Sequence, residues 1–344
     1  MMSRSRIAGA VLFLAVAAFS AAPVRAGDAP PKEGVAEPQA VRALTPDEIA
    51  RQCVPATVML AGSNGAATGC GVVIHEAGYI LTANGVAPDG GSATTMTPKR
   101  GQAPQPPAPP AKKFTYRVIA RMPQIDAALL KVDADAALAA VPLGWSDDLM
   151  LGEAIVAIGN PNTVSAGIIS GLDHGDVSPL ALPNDPRRGT TYSFRKGMIQ
   201  TNTPGGTGSF GGPLINSVGR LIGLIEAQNK TRGAIGVTLA VPIDRVRTAA
   251  ARALSEKTLG LRVGLTVDPM QTAKITAVEP GSPAEKAGLR AGDVLIQAGK
   301  MPVTDGVHYY LALAAAKAGE PLPIEFQRDG KAQSVSVAVE KAGK

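Results

Sequence analysis

Residues 206–214 read G-T-G-S-F-G-G-P-L. Only glycine adopts backbone angles with positive φ without strain, so a turn this rich in glycine is typical of a site where backbone amides approach a ligand. Leu214 and Ile215 are apolar, which predicts that a buried strand begins as the turn ends. The stretch therefore indicates an active-site loop followed directly by a core strand.

The same residues contain the pattern G-x-G-x-x-G, at Gly206, Gly208 and Gly211, which also occurs in dinucleotide-binding proteins. That function requires a strand before the glycines, a helix after them and an acidic residue about 20 positions further on. The chain instead continues with Gly212 and Pro213, which favour the start of a strand. The pattern therefore does not indicate a nucleotide site.

Three other stretches share motifs with a known protein family. They are Gly78–Val86 (G-Y-I-L-T-A-N-G-V), Pro123–Val132 (P-Q-I-D-A-A-L-L-K-V) and Ile199–Asn202 (I-Q-T-N). With the glycine loop they resemble the HtrA/Deg family of trypsin-like serine proteases, which has G-Y-I-L-T-N-N-H-V, D-P-x-x-D-L-A-L-L-K-V, and Q-T-D before G-N-S-G-G-P-L. The resemblance implies a mainly β fold, with two six-stranded antiparallel barrels followed by a PDZ domain. The many short strands between glycine and proline turns independently predict antiparallel barrels.

The resemblance also identifies the catalytic positions. It places Asp126 at the triad aspartate, Gly85 at the histidine and Phe210 at the nucleophilic serine. The backbone amides of Gly208 and Phe210 correspond to the oxyanion hole. Acyl transfer by such a triad needs a hydroxyl and an imidazole, and neither glycine nor phenylalanine supplies one. The main hypothesis is therefore an inactive homologue, and the alternative is an active HtrA-type serine endopeptidase in envelope protein quality control.

The chain offers few replacements for the missing groups. Its histidines, His75, His174 and His308, fall at no equivalent position, and we expect each to lie at the surface or in a loop. Ser209 could act as a displaced nucleophile, but a shift of one residue turns its side chain away from the cleft. No metal and no cofactor is expected.

The region 257–344 resembles a PDZ domain, most clearly over Val278–Leu289. PDZ domains bind the carboxyl terminus of a peptide as an added strand, and backbone amides of a short loop hold the carboxylate. Leu259-Gly260-Leu261 matches that loop best, and Val263-Gly264-Leu265 is a competing register. His308 lies on the helix that would line the groove, although we expect its side chain to face solvent.

The partners that the resemblance implies are peptides or unfolded polypeptides, bound through their C-termini. Family members often assemble as trimers, so a homotrimer is the implied assembly. The 34 Lys and Arg residues exceed the 28 Asp and Glu residues only slightly. This balance does not indicate a nucleic-acid partner.

The N-terminus predicts export. Arg4 and Arg6 precede an apolar run that ends at Val24-Arg25-Ala26, which is typical of a cleaved secretory signal. We expect a periplasmic location, and no later stretch is long enough to span a membrane. The expected order is a signal peptide (1–26), a flexible leader (27–44), a protease-like domain (45–256) with a proline-rich loop (98–113), and the PDZ domain (257–344).

Local patterns predict a candidate disulfide and several helix caps and turns. Cys53 and Cys70 are the only cysteines, so they form a disulfide candidate in an oxidising compartment, provided that the helix before Cys53 folds back towards Cys70. A capping box that begins at Thr45 predicts a helix to about Cys53. Asp244 is predicted to cap the N-terminus of a helix over 245–254, and Ser282 is predicted to cap a short helix that Gly288 ends. Arg328-Asp329-Gly330 is predicted to form the turn of a hairpin.

Overall fold

The computed structural model describes residues 42–97, 110–159, 163–179, 192–204, 207–226, 236–270 and 273–342. The predicted signal peptide, almost all of the predicted leader and residues 98–109 of the predicted proline-rich loop lie outside these ranges. Within the described ranges, no helix has both the length and the apolar character needed to cross a bilayer.

Six antiparallel strands form the first barrel. They are β1 (Thr57–Ala61), β2 (Ala67–His75), β3 (Tyr79–Ala83), β4 (Ser92–Thr95), β5 (Lys113–Met122) and β6 (Ala127–Val132). They pair in the order β1-β2-β3-β6-β5-β4 and close on themselves. Leu60, Ile80 and Leu130 are fully buried, so branched aliphatic side chains form the core of this barrel.

The second barrel has the same design. Its strands are β7 (Ala154–Gly159), β8 (Thr163–Pro179), β9 (Tyr192–Thr201), β10 (Pro213–Asn216), β11 (Leu221–Ile225) and β12 (Thr238–Pro242). They close in the order β10-β11-β12-β9-β8-β7. The prediction of two six-stranded antiparallel barrels is therefore confirmed.

Two helices flank the barrels, and one of the two capping predictions is wrong. Helix α1 (Pro46–Cys53) has the predicted capping box, in which Thr45 and Glu48 exchange side-chain and backbone hydrogen bonds. Helix α2 (Ile243–Ala253) begins one residue before Asp244, which does not cap it. The Asp244 carboxylate instead accepts hydrogen bonds from the amide and hydroxyl of Ser146, at 2.8 and 2.7 Å. A partner from a distant loop therefore replaces the local helix amide.

The remaining elements form the C-terminal region, in which the sequence predicts the PDZ domain. They are α3 (Glu256–Leu259), β13 (Leu261–Arg262), β14 (Leu265–Val267), β15 (Ile275–Val278), α4 (Pro283–Lys286), β16 (Val294–Ala298), β17 (Met301–Pro302), α5 (Gly306–Ala315), β18 (Pro321–Arg328), β19 (Lys331–Ala338) and β20 (Glu340–Lys341). A four-stranded sheet has the order β17-β16-β18-β19, and β13-β20 and β14-β15 form separate pairs. The predicted Ser282 cap is confirmed, because its hydroxyl accepts the Glu285 amide.

Helix α5 packs between the PDZ sheet and the first barrel. All its residues from Gly306 to Leu313 are buried. The Tyr79 hydroxyl, on β3, donates to the Leu311 carbonyl at 3.1 Å. The ring of His75, at the end of β2, lies 5.3 Å from the ring of His308. The PDZ domain is therefore packed directly on the first barrel.

Candidate functional site

The glycine loop lies where the two barrels meet. After a 3₁₀ turn at Thr207–Ser209, Gly211 adopts a φ of 77°. A Cβ atom at this position would overlap Thr82 Oγ1 and would lie 2.7 Å from the Ala83 amide nitrogen. Only glycine therefore allows the loop to approach the end of β3 this closely.

Cys70 holds the loop on the first barrel. Its amide donates to the Phe210 carbonyl at 2.7 Å, and its thiol lies 3.0 Å from the Gly208 carbonyl oxygen. Cys53 and Cys70 are both buried, and the structure does not join them in the candidate disulfide. Burial raises the pKa of the Cys53 thiol to about 11, which keeps that thiol protonated and unreactive near neutral pH.

Gly85 and Asp126 lie side by side. Asp126 follows a 3₁₀ turn and has left-handed backbone angles, with φ 51° and ψ 42°. Its Oδ1 atom accepts the Gly85 amide at 3.2 Å. Gly85 is exposed, and the nearest atom to an added Cβ would be that same Oδ1, at 3.9 Å. The structure therefore brings together the two residues that the resemblance assigned to neighbouring triad positions, with room for a side chain at Gly85.

Phe210 and Ser209 point in different directions. Phe210 is half-buried and packs against the hydrophobic core. Ser209 is 8% exposed, and its Cβ would lie 2.7 Å from a Cβ placed on Gly159 of β7. The Ser209 hydroxyl is therefore directed into the second barrel.

The histidines with described side chains face each other across the domain interface. His75 Nδ1 accepts the Ala77 amide at 3.1 Å, and its ring faces that of His308. Burial lowers the pKa of His75, and the neighbouring His308 ring lowers it further. His308 is only 7% exposed and contacts the Thr304 hydroxyl at 2.8 Å, so it does not face solvent as expected. His75 is 8% exposed, so the expected surface or loop position is wrong for it as well. The side chain of His174, on β8, lies outside the described residues.

The carboxylate-loop candidates differ sharply in geometry. Leu259 ends helix α3, Gly260 takes a left-handed φ of 66° beyond it, and Leu261 pairs with Lys341. By contrast, the amides of the competing register, Val263–Leu265, converge on one point. Three successive amides that point inward form an anion-binding concavity.

The Glu256 carboxylate occupies this concavity. The Val263 amide donates to Oε2 at 2.8 Å, the Gly264 amide donates to both oxygens at 2.9 Å, and the Leu265 amide donates to Oε1 at 3.1 Å. Sequence reasoning missed Glu256, because no local pattern connects it with a loop several residues away. In the described part of the chain, no cluster of three or more His, Cys, Asp or Glu residues could hold a metal ion.

Both domains match models of known families. Residues 69–224 match the trypsin-like peptidase domain, and residues 274–328 match the PDZ domain. The chain is 30% identical to a probable periplasmic serine endoprotease DegP-like of Pseudomonas fluorescens, over 79% of this chain and 56% of that protein. It is 29% identical to the putative serine protease HhoA of Synechocystis sp., over 79% of this chain and 70% of that protein.

A solved structure of the HtrA-type protease AlgW with tripeptide has 25% identity and a TM-score of 0.48, over 87% of this chain and 98% of that chain. The chain spans little more than half the length of several of the curated relatives it matches, including 56% of the Pseudomonas protein. The peptidase and PDZ models match successive parts of this chain, and the chain belongs to the HtrA-type family of trypsin-like serine proteases with a PDZ domain.

Proposed function

We propose that this protein is an exported, catalytically inactive HtrA-type homologue that binds peptides or unfolded polypeptides through its PDZ domain. One observation is the main support for the proposed loss of activity. The carboxylate of Asp126 accepts a backbone amide from Gly85, at the position where the family has its histidine. Glycine has no imidazole to take a proton from a nucleophile, so the machinery for acyl transfer lacks its base.

The nucleophile position supports the same proposal. Phe210 offers an apolar ring instead of a hydroxyl, and the neighbouring Ser209 is packed against Gly159. Loss of the serine-histidine unit typically lowers turnover by about six powers of ten. The amides of Gly208 and Phe210, proposed as the remnant of an oxyanion hole, would then have no covalent step to assist.

Peptide binding is assigned to the PDZ domain, with Val263–Leu265 as the carboxylate loop. The convergence of three amides on one carboxylate supports this register over Leu259–Leu261, where the backbone ends a helix. A bound peptide would add to the free edge of β14. Export to the periplasm is part of the proposal that rests on the N-terminal signal pattern, whereas assembly as a homotrimer and a domain boundary near residue 256 rest on the family resemblance.

The second candidate function is an active serine endopeptidase whose catalytic groups arrive from elsewhere. The space beside Gly85 favours it, because the one atom of the described residues within 4 Å of an added Cβ there would be Oδ1 of Asp126, at 3.9 Å. An imidazole from another part of the chain or from a second molecule could occupy that space. Under this alternative Asp126 keeps its orienting role.

The two candidates are separated by labelling the purified mature protein with a fluorophosphonate probe and by incubating it with casein. We expect neither labelling nor hydrolysis. Labelling that Ser209→Ala abolishes would establish Ser209 as the nucleophile, and labelling that survives Ser209→Ala would reveal another one. Either result would refute the inactive assignment.

A double variant, Gly85→His with Phe210→Ser, tests whether the rest of the cleft still has the geometry that catalysis needs. We expect weak hydrolysis at most, because the loop backbone is fitted around an apolar ring at Phe210. Hydrolysis at the rate of an active family member would place the loss of activity in two side chains alone.

A further inference from the structure

The recognition edge of the PDZ domain can be identified from the pairing of β14. The Gly264 carbonyl accepts the Glu279 amide at 2.9 Å, and the Thr266 carbonyl accepts the Thr276 hydroxyl at 3.0 Å. These carbonyls therefore face β15. Backbone groups alternate along a strand, so the amides and carbonyls of Leu265 and Val267 face the opposite edge. That edge is where an added peptide strand would pair.

The carboxylate end of this edge is already filled. Both oxygens of Glu256 lie among the amides of Val263, Gly264 and Leu265, at 2.8 to 3.1 Å. A glutamate carboxylate is the same chemical group as a peptide C-terminus. Hydrogen bonds between a charged oxygen and a backbone amide are among the stronger ones in proteins, so this contact competes directly with a peptide carboxylate.

The other end of the edge is filled as well. The Tyr310 hydroxyl, on α5, donates to the Val267 carbonyl at 2.7 Å, and Tyr310 is only 8% exposed. The start of α5 closes on the chain just after β14, because a Cβ on Gly306 would overlap the Asp268 carbonyl and lie 2.8 Å from the Pro269 Cα. Pairing strands need about 4.7–4.9 Å between backbones, so a peptide can enter here only if α5 moves away.

We propose that the PDZ groove is self-occupied, with Glu256 as an internal ligand in place of a peptide C-terminus and Tyr310 as a cap on the strand edge. This inference rests on the proposed peptide-binding function and adds its regulation. The competing ligand is a peptide with a free carboxylate and an apolar last residue. Glu256 follows the end of α2 by a few residues, so a shift of α2 relative to the PDZ domain would withdraw the carboxylate and open the site.

The expected size of the effect follows from competition within one chain. A ligand tethered by a short segment has an effective concentration in the millimolar range. A peptide that binds only the open groove has its apparent affinity reduced by the fraction of open molecules. If the internal carboxylate alone binds the open loop with a Kd of roughly 10–100 μM, its removal should strengthen peptide binding by roughly 10- to 100-fold.

The test uses the full mature chain and two fluorescent decapeptides that end in valine, one with a free carboxylate and one amidated. Fluorescence anisotropy gives the affinity of each for the native protein, Glu256→Ala, Tyr310→Phe and the control Glu320→Ala. Glu320 is an exposed residue of the same domain that pairs only loosely with Lys317, at 3.7 Å. We expect Glu256→Ala to bind the free-carboxylate peptide at least about tenfold more tightly than the native protein does. Tyr310→Phe should show a smaller increase in affinity, and the affinity of Glu320→Ala should equal that of the native protein.

Hydrogen exchange at the amides of residues 263–265 gives a readout that needs no peptide. We expect protection in the native protein and its loss in Glu256→Ala, while melting curves confirm that the variant is folded. Fast exchange in the native protein, or equal peptide affinity with and without Glu256, would overturn the inference. If protection depends on Glu256 but no variant binds either peptide, the proposed peptide-binding function is refuted. The role of Glu256 in blocking that function is then refuted as well.

Discussion

Replacing Arg247 with alanine should loosen the PDZ domain from the barrels. Arg247 lies on α2, and its side chain is 1% exposed. Its guanidinium donates to the Gly144 carbonyl at 3.0 Å and to the Pro269 carbonyl at 3.2 Å. It also lies 3.6 Å from the Asp305 carboxylate and stacks 4.2 Å from the centre of the Trp145 ring. One side chain therefore connects the loop before the second barrel with the chain after β14 and with the start of α5, at one end of the PDZ groove.

The loss of stability in Arg247→Ala depends on the buried carboxylates that the substitution would leave without a cation. Burial lowers the pKa of Arg247, and the carboxylates of Asp305 and Asp244 oppose that effect, so the charge is held in place mainly by its partners. Removing one partner of a buried ion pair typically costs about 3–5 kcal/mol, because the other charge stays buried without compensation. At roughly 2–4 °C per kcal/mol for a chain of this size, Tm should fall by roughly 6–20 °C.

Two assays apply: differential scanning calorimetry, and unfolding in urea monitored by circular dichroism. We expect Arg247→Ala to unfold in two phases, because the PDZ domain loses its main polar link to α2. Arg252→Ala is the matched control, since Arg252 is an exposed residue of the same helix and should change stability by less than about 0.5 kcal/mol. A Tm for Arg247→Ala within about 2 °C of the native value would refute the reasoning.

Three further changes test other contacts. Tyr309→Phe should stabilise the protein by about 1–3 kcal/mol in urea unfolding, because the buried Tyr309 hydroxyl has no hydrogen-bond partner among the described residues; a loss of stability would contradict this. Gly211→Ala should cost at least about 2 kcal/mol, since the new Cβ would overlap the first barrel, whereas Gly90→Ala, also at positive φ but in open space, should cost less. The pKa of His75 is lowered from its ordinary 6.5, by burial first and then by His308. The unfolded chain therefore takes up a proton near pH 6.5 and the folded chain only at lower pH, so Tm should fall as pH drops below about 6.5. His75→Gln should remove that part of the slope, and an unchanged slope would assign it to other groups.

Much of the fold could be predicted because its signals are local. The capping box at Thr45, the helix cap at Ser282 and the turn at Asp329-Gly330 each depend on residues a few positions apart, and all three are present in the structure. Short apolar segments between glycine turns predicted antiparallel barrels for the same reason. The pairing of Gly85 with Asp126 came from the family resemblance, because no local pattern connects residues so far apart.

Only the tertiary structure decided the contacts between distant segments. Asp244 has Ser146 as its partner instead of a helix amide, His308 is buried against the first barrel, and Cys70 holds the glycine loop through its backbone and thiol. Glu256 fills a site that the sequence suggests is empty. In each case a polar group takes the best partner that folding brings within hydrogen-bonding distance. The sequence by itself determined which groups were available and which local caps and turns would form. The packing of the two barrels, α2 and α5 determined which of those groups meet, because only folding brings residues from distant segments within hydrogen-bonding distance.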